Sequence, residues 1–268
     1  MNAEVQSLLR QGELEQAIGL MNAEVRANPS DVARRSALAE LLCLAGNLER
    51  ADTILDSVSS LDVSTAIPIA MFRQLVRAEQ ARQQFYADGR VPEFLGKPGM
   101  LLELELRAAL ATRDGALDEA AALVGERDEK RAAVAGTADG VAFDDFRDLD
   151  DLSAAHLEVL TSTGKYFWIA VENVASISLR PIERRRDLLW RRAQLSVLGG
   201  PDGEVFLPSI YASKDPSAGH RLGYATDFTG EAAGLALGAG LRSFLVGDDS
   251  RTILELTEVE FSAPVPVA

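Results

Sequence analysis

Apolar residues recur at intervals of three and four along the first half of the chain, which is the spacing of one face of an α-helix. The same spacing continues over Ile67–Ala87, and it predicts one long helix there. The clearest shorter runs are Val5, Leu8 and Leu9; Leu38, Leu41 and Leu42; and Ile54, Leu55 and Val58. The pattern therefore predicts a helical first half.

A six-residue motif repeats within this helical half. Gly-Glu-Leu-Glu-Gln-Ala at residues 12–17 returns as Gly-Asn-Leu-Glu-Arg-Ala at 46–51, 34 residues later, which is the tetratricopeptide period. A third copy, Gly-Ala-Leu-Asp-Glu-Ala, stands at 115–120, about two periods after the second. Units of this kind are helix pairs that bury their apolar faces by stacking on their neighbours. The repeat predicts a tetratricopeptide-like domain over residues 1–138.

Each recurring position of the motif has a physical role. Glycine can end a helix because it readily adopts the left-handed backbone conformation. The leucine starts the apolar face of the next helix, and the alanine is small enough for two helices to approach closely. Stacked helix pairs create a groove, which favours a peptide- or helix-binding function. A helical layer with a purely structural role is the alternative.

The pattern changes after residue 138, where short strands separated by turns are expected. Val174–Leu179 alternates strictly between apolar and polar residues, as a half-buried strand does. The other predicted strands are Leu157–Ser162, Tyr166–Ala170, Ala193–Leu198 with Glu204–Tyr211 as one hairpin, and Arg242–Val246 with Thr252–Phe261 as another. The turn at residues 199–203 is a strong hairpin signal.

Together these patterns predict an α+β protein of two domains. Residues 1–138 form the tetratricopeptide-like helical repeats, and residues 139–268 form a small, antiparallel, barrel-like β-rich domain. The tail Ser262–Ala268 contains two prolines and is expected to fray.

Charge and composition narrow the classes of function. Acidic residues outnumber basic residues by 41 to 27, and the formal net charge of −14 disfavours nucleic acid and anionic membranes as partners. The longest near-apolar run, Ala232–Leu241, is too short to span a bilayer, and residues 1–12 lack the apolar core of a signal peptide. We therefore expect a cytoplasmic protein. The single cysteine, Cys43, lies in an apolar helical stretch and is expected to be buried.

The sequence contains no recognisable catalytic constellation, neither a phosphate-binding glycine loop nor a Gly-x-Ser-x-Gly motif. His156 and His220 have no spacing to other metal ligands and are expected to be ordinary surface or capping residues. Asp144–Asp151 holds five aspartates but lacks the glycine of a calcium loop, so a solvated acidic segment is expected, with a docking surface for a basic partner as the alternative. No enzyme activity, cofactor or metal is predicted. The enzymatic alternative is an unrecognised site in the β domain, for which Asp144–Asp151 near Tyr166 is the candidate.

Basic residues crowd one short segment of this acidic chain. Six arginines lie between residues 180 and 192, around Asp187 and Trp190. They either pair with Asp144–Asp151 inside the protein or form a protein-binding patch, since Arg and Trp are enriched at interaction hot spots. Trp168 belongs either to this patch or to the strand core. The candidate protein-binding residues are Arg184, Arg185, Arg186, Asp187, Trp190, Trp168 and Tyr166.

A series of short segments, spread along most of the chain, carries a family resemblance. The segments are Ala78–Arg82, Gly89–Gly96, Arg147–Asp151, Leu157–Leu160, Tyr166–Ile169, Arg186–Arg191, Gly203–Pro208, Arg221–Phe228 and Phe244–Asp248. In their order and spacing they resemble the ImpE/TagJ family of accessory proteins of bacterial type VI secretion systems. Two positions depart from the family pattern, because Ala170 stands in place of a proline and Phe228 in place of a tryptophan.

The resemblance implies a role beside the contractile sheath of the secretion system. Members of the family are linked to a helix near the N-terminus of the small sheath subunit, TssB, and to the ClpV ATPase that recycles contracted sheath. A groove that takes up an amphipathic helix is a recurring mode of recognition, and it suits a helical-repeat domain. We therefore expect a non-catalytic adaptor that binds this helix and influences sheath assembly or ClpV-dependent disassembly. A generic repeat scaffold with an unrelated partner is the alternative.

Overall fold

The computed structural model describes residues 1–262, without the side chains at positions 60 and 63. Of the tail that was expected to fray, residues 263–268 lie outside this description. The helices are α1 (Ala3–Arg10), α2 (Leu14–Ala27), α3 (Val32–Leu44), α4 (Leu48–Leu61), α5 (Ala66–Asp88), α6 (Met100–Arg113), α7 (Leu117–Lys130) and the one-turn α8 (Ala218–Arg221). A helical region is followed along the chain by a β region, which confirms the predicted α+β class.

Thirteen strands are found in the described residues, and all but the first lie beyond residue 138. They are β1 (Gly136–Ala138), β2 (Val141–Phe143), β3 (Phe146–Asp148), β4 (His156–Leu160), β5 (Tyr166–Ala170), β6 (Val174–Leu179), β7 (Trp190–Val197), β8 (Asp202–Pro208), β9 (Thr226–Thr229), β10 (Leu237–Gly240), β11 (Ser243–Val246), β12 (Asp249–Thr252) and β13 (Glu258–Phe261).

The three motif copies occupy the same turn in three helix pairs, α1–α2, α3–α4 and α6–α7. Gly12, Gly46 and Gly115 have φ angles of 80°, 78° and 80°, the left-handed conformation that glycine adopts without a steric penalty. In each copy the following amide donates to the carbonyl five residues earlier, at 2.8 to 2.9 Å, which closes the helix end. The motif alanine is fully buried in every copy. The predicted roles of the glycine and the alanine are confirmed, while the tetratricopeptide assignment stays a prediction.

The long helix α5 confirms the prediction over Ile67–Ala87, and it ends at Gly89, whose φ is 75°. Helix α5 contacts α4 and α6 on one side and strands β4 and β5 on the other. Its buried residues include Glu79 and Arg82 beside apolar residues such as Phe72. The helix therefore joins the helical region to the β region. Neither α5 nor another helix of the described residues is long and apolar enough to cross a membrane.

The β region is built on one antiparallel eight-stranded sheet in the order β2-β1-β13-β6-β7-β8-β4-β5. The hairpin predicted around residues 199–203 joins β7 to β8. A three-stranded sheet, β12-β11-β3, packs against one face of the large sheet, and β9 pairs with β10. Within residues 1–262 the edge strands β2 and β5 do not pair with each other, so the sheet stays open and the barrel-like arrangement is not confirmed.

The strand predicted over Thr252–Phe261 is divided in two, with β12 ending at Thr252 and β13 beginning at Glu258. Between them Leu256 points into the core. The Glu255 carboxylate accepts hydrogen bonds from the amide and the hydroxyl of Thr252, at 2.7 and 2.8 Å, and so fixes a turn. This turn allows β12 to pair with β11 while β13 pairs with β6 in the large sheet.

The helices and the large sheet share one apolar core. Trp168 and Trp190 of the sheet pack with helical residues that include Phe72, Phe85 and Cys43, which is buried as expected. The opposite face of the sheet buries a second core against the three-stranded sheet. The division into domains of residues 1–138 and 139–268 stays a proposal about folding units.

We predict that Gly12→Ala lowers the free energy of unfolding by about 1–2 kcal/mol, because the left-handed backbone is unfavourable for a residue with a Cβ atom. No atom beyond the neighbouring residues lies within 4 Å of the added Cβ, so the cost is conformational rather than steric. Urea unfolding followed by circular dichroism measures the change.

Gly19 is the matched control, because it lies exposed within α2 and has equally open surroundings. Gly19→Ala should raise the free energy of unfolding by up to about 1 kcal/mol, since alanine favours the helix. Equal effects of the two substitutions would contradict the assigned role of Gly12.

Candidate functional site

The seven predicted binding residues do not lie together on the surface. Trp168, Trp190 and Tyr166 are only 1%, 1% and 3% exposed, and they lie in the core between helices and sheet. Trp190 meets the ring of Phe72 edge-on at a centroid distance of 6.1 Å, and Trp168 meets Phe85 in the same way at 4.9 Å. These aromatic residues pack beneath the surface. Direct contact between them and a protein partner stays a prediction.

Each of these buried aromatic residues uses its polar atom to bind a neighbour. Trp190 Nε1 donates to Glu79 Oε2 at 3.1 Å. Trp168 Nε1 donates to the Tyr166 hydroxyl at 2.6 Å, and that hydroxyl donates in turn to the carboxylate of Glu158. The rings thus help to hold two buried carboxylates in place, one on α5 and one on β4.

Glu158 is the centre of a group of residues that we call the buried charge network: Glu79, Arg82, Asp148, Glu158 and Arg242. Arg82 Nε and Nη2 bind the two carboxylate oxygens of Glu158 at 3.0 and 2.9 Å, and Arg242 binds the same carboxylate. Burial by itself would raise the pKa of Glu158, but Arg82 and Arg242 outweigh it and hold that pKa well below its usual range. Glu158 therefore remains ionised in the interior at neutral pH.

The network continues from Arg242 into the loop after β3. Arg242 Nη1 donates to Asp148 Oδ2 at 2.6 Å, and the Tyr211 hydroxyl donates to Oδ1 of the same residue at 2.6 Å. Asp150 accepts hydrogen bonds from the amides of Leu152 and of Gly238 on β10, both at 2.7 Å. Burial, together with the negative charge of Asp148, raises the pKa of Asp150 to about 7.

The acidic segment Asp144–Asp151 is therefore not solvated, and the prediction of a solvated segment is wrong. Asp144 is exposed, but Asp148, Asp150 and Asp151 are buried. The cause is the pairing of β3 with β11, which draws the segment below the surface. Nor does the segment pair with the arginines of residues 180–192. Within the described residues the aspartates of the segment form ion pairs with Arg131, Arg147 and Arg242.

A second buried polar cluster joins α6, α7 and β4. Glu105 accepts a hydrogen bond from Arg127 Nη1 at 2.6 Å and from a backbone amide at 2.7 Å, and it bonds His156 Nδ1 at 2.5 Å. His156 is fully buried and stacks on Trp168 with a centroid distance of 3.7 Å, so its assignment to the surface or to a cap is wrong. His220, in contrast, helps to cap α8, as expected.

The buried charge network was not predicted, although the sequence carries a signal for it. Glu79 and Arg82 are three residues apart and share a buried helix face with Phe72, and Glu158 interrupts an apolar strand. A charge within an otherwise apolar face must be paired if that face is buried. The partner of each charge lies far along the chain, so the local sequence does not reveal the pairing.

Residues 180–192, which we call the basic segment, form the surface part of the predicted site. Arg184 is exposed and precedes a short 3-10 helix. Asp187 Oδ2 fixes this turn by accepting hydrogen bonds from the amides of residues 183 and 184, both at 2.9 Å. Arg186 places its guanidinium 4.7 Å from the centre of the Phe72 ring. Burial, together with the positive charge of Arg184, lowers the pKa of Arg186.

An open groove of about 420 Å³, which we call the Arg184 groove, lies between this segment and α3. The residues that line it are Met1, Glu40, Ile182, Glu183, Arg184, Arg185 and Leu188. The Met1 and Ile182 side chains are 43% and 42% exposed. Burial raises the pKa of Glu40, although the arginines nearby act to lower it. The groove therefore combines an exposed apolar floor with a charged rim.

Two arginines of the basic segment keep buried N–H groups that find no acceptor among the described residues. Arg185, which lines the groove, has such a group at Nε, and Arg191 has them at Nε and Nη1. Arg191 is 6% exposed, and burial lowers its pKa against the opposing charge of Asp187. A buried donor without a partner costs on the order of 1–3 kcal/mol. An acidic group that reached these donors would therefore be bound favourably.

A second groove, of about 530 Å³, lies between the motif turn at residues 45–49 and the last turns of α5. Arg221 Nη1 donates to the carbonyl of Ala45 at 2.7 Å and ties this turn to the β region. The side chains along the groove are mainly polar, among them Asn47, Gln80, Gln83 and Gln84. Leu48, the one large apolar residue along this groove, is buried, whereas Met1 and Ile182 of the Arg184 groove are exposed.

We predict that Glu158→Gln lowers the free energy of unfolding by about 3–5 kcal/mol, because Arg82 and Arg242 each lose a buried counter-charge. Chemical denaturation followed by tryptophan fluorescence measures the loss. Glu204→Gln on β8 is the control, since Glu204 is exposed and lies 3.8 Å from Arg192. The control should stay within about 0.5 kcal/mol of the wild type. Similar losses in both variants would refute a stabilising role for the network.

We also predict that Asp150 makes the protein less stable as the pH rises from about 4 to about 7. The pKa of Asp150 is raised to about 7 in the folded protein, against about 3.9 for an unfolded aspartate. In this range the folded protein keeps a proton that the unfolded chain releases, so the stabilisation present at pH 4 is lost by pH 7.

Asp150→Asn removes this titration, and urea unfolding at a series of pH values measures its effect. The stability of the wild type relative to Asp150→Asn should fall steadily between pH 4 and 7. Asp144→Asn, at the exposed end of the same segment, is the control and should show no such trend. A difference between wild type and Asp150→Asn that is constant with pH would contradict the raised pKa.

The chain has known relatives that cover both the helical and the β region. Residues 140–260 match the family described as ImpE protein. Over 260 residues the chain is 28% identical to the type VI secretion system accessory component TagJ of Pseudomonas aeruginosa, a match that covers 96% of this chain and 90% of that protein. The X-ray crystal structure of protein VPA1032 from Vibrio parahaemolyticus is 26% identical and has a TM-score of 0.91, with coverage of 97% of this chain and 98% of that one. By these similarities, residues 140–260 match the ImpE family, and the chain is similar to TagJ over 96% of its length.

Proposed function

We propose that this chain is an accessory component of a type VI secretion system, in which it works as a non-catalytic, cytoplasmic adaptor. The observation that carries the proposal is the similarity to TagJ, which extends over 96% of this chain. Similarity confined to the β region would leave the role of the helices open. Similarity through both regions supports a shared role for the whole molecule.

The partner in this proposal is the N-terminal helix of a TssB-like small sheath subunit, and a ClpV-type ATPase is a second contact. Binding of the helix influences sheath assembly or ClpV-dependent disassembly. The Arg184 groove supports a helical partner, because an exposed apolar floor with a charged rim matches the two faces of an amphipathic helix. A generic scaffold with an unrelated partner is the second candidate, and the experiment below separates the two.

The description of the helical region as tetratricopeptide-like repeats is part of the same proposal. It is supported by the 34-residue spacing of the first two motif copies and by the matching turns at Gly12, Gly46 and Gly115. Stacked helix pairs present extended surfaces to partners. Helix α3, from the second pair, contributes Glu40 to the Arg184 groove.

The buried carboxylates support an adaptor rather than an enzyme. Glu79, Asp148 and Glu158 are paired with arginines inside the protein, and none of them lines either of the two grooves described above. The alternative of an enzymatic site concerned the surroundings of Tyr166. This residue is 3% exposed, and its hydroxyl donates a hydrogen bond to Glu158. These groups hold the fold together, and a substrate would have to open the core to reach them.

We predict saturable one-to-one binding when the purified protein is titrated calorimetrically with a synthetic peptide that covers the N-terminal helix of the cognate small sheath subunit. Because apolar surface is buried on binding, the heat capacity change should be negative. The control is the same peptide with its apolar-face residues replaced by charged residues, which should not bind.

The absence of binding at high micromolar peptide, over several temperatures, would overturn the sheath subunit as partner. A parallel titration with the cognate ClpV-type ATPase then separates the remaining candidates. Binding of the ATPase alone would keep the chain within the secretion system, whereas binding of neither would favour the generic scaffold.

A further inference from the structure

We infer that the partner helix docks in the Arg184 groove and presents an acidic flank to Arg184 and Arg185. The inference rests on the proposed function for the existence of a helical partner. It adds the place where the helix binds and the chemistry that it carries. The occupant is one amphipathic helix, with an apolar face on the floor of the groove and carboxylates along one side.

The floor of the groove is apolar surface that the described chain leaves uncovered. Met1 and Ile182 are 43% and 42% exposed, and Leu188 beside them is half-buried. Burial of apolar surface drives association. An amphipathic helix brings apolar side chains to one face at every third or fourth position and can therefore cover such a floor. Among the residues that line the groove beside α5, the one large apolar side chain, Leu48, is buried.

The charge of the rim determines which kind of helix fits. Among the six arginines of the basic segment, Arg192 alone forms an ion pair within the described residues, with an N–O distance of 3.8 Å. Arg184 is exposed and Arg185 is half-buried, so both guanidinium groups are available from the groove. The acidic residues that line the groove with them, Glu40 and Glu183, form no ion pair with either arginine within the described residues, and Asp187 already accepts two backbone hydrogen bonds. Unpaired cations at the rim of an apolar floor match a helix with acidic residues along its side.

An unpaired N–H group gives a second, independent indication of an acidic ligand. Arg185, which lines the groove, has a buried Nε without an acceptor among the described residues. A carboxylate forms strong, charge-assisted hydrogen bonds with guanidinium groups. A glutamate or aspartate side chain at the edge of the groove would supply the acceptor that Arg185 lacks.

The rim is held in position before a partner arrives. Asp187 fixes the turn through the amides of residues 183 and 184, at 2.9 Å each. Arg186 lies over Phe72, which packs in turn against Trp190. A preorganised site loses little conformational entropy on binding. The predicted residues Arg186, Asp187 and Trp190 act here by positioning the rim, whereas Arg184 and Arg185 contact the partner.

The test is calorimetric titration of the sheath-helix peptide into four full-length proteins: wild type, R184E/R185E, R184K/R185K and R107E. Charge reversal at the rim should weaken binding about tenfold or more, as close charge pairs across interfaces do. The lysine variant keeps the charges and should retain most of the affinity. Arg107 is exposed on α6, away from the groove residues in sequence, and R107E should bind within about twofold of the wild type.

A reciprocal peptide, in which the acidic residues are replaced by lysine, should bind R184E/R185E better than it binds the wild type. Circular dichroism and the unfolding midpoint show that each variant is folded. Ile182→Asp, at an exposed position of the floor, is a second variant that should also weaken binding about tenfold.

The outcomes separate this inference from the proposed function. Equal binding of the peptide to the wild type, to R184E/R185E and to Ile182→Asp would show that the helix does not dock in this groove. The adaptor function would still stand. If the peptide does not bind the wild type, the proposed function fails, and the docking site fails with it.

Discussion

The structure depends on keeping the carboxylate of Glu158 ionised inside the protein. A buried carboxylate without counter-charges is costly enough that it would take up a proton or force the core open. Here Arg82 reaches it from α5 and Arg242 from the residue before β11. Because each arginine also binds a second carboxylate, of Glu79 or Asp148, one group ties the helices, the large sheet and the three-stranded sheet together.

This network also reaches the surface through a short series of contacts. Glu79 accepts a hydrogen bond from Trp190, and Trp190 packs on Phe72. The guanidinium of Arg186 lies over the Phe72 ring. The orientation of the basic segment is therefore coupled to the buried charges. This explains why residues that looked like one site in the sequence are divided between surface and interior. The buried members position the arginines that can meet a partner.

The sequence alone predicted those features that depend on residues close together along the chain. The motif glycines end their helices because only the local backbone decides that conformation, and helix α5 follows from the spacing of its apolar residues. The turn at residues 199–203 also predicted the hairpin of β7 and β8. Strand alternation separates the two faces of a strand, but it does not tell which face the helices cover. The burial of Trp190 therefore had to come from the structure.

The parts that the sequence did not reveal depend on contacts between distant positions. The bonds from Arg82 and Arg242 to Glu158 span 76 and 84 residues. His156 and Asp148 look like surface residues until α6 and β11 are placed over them. The candidate site shares this origin. Its arginines could be singled out by composition, whereas the groove forms only where Met1 and the α3 residue Glu40 lie beside the basic segment.

The overall charge and the local charge of this surface have opposite signs, which favours a correct orientation more than a fast encounter. A protein of net charge −14 repels an acidic helix over most of its surface. At physiological salt the reach of a single charge is about 8 Å, so the attraction of Arg184 and Arg185 acts only at close range. Repulsion elsewhere works against wrong binding modes, as it does in other selective interfaces. The apolar floor then supplies most of the affinity, and the two arginines determine the register in which the helix binds.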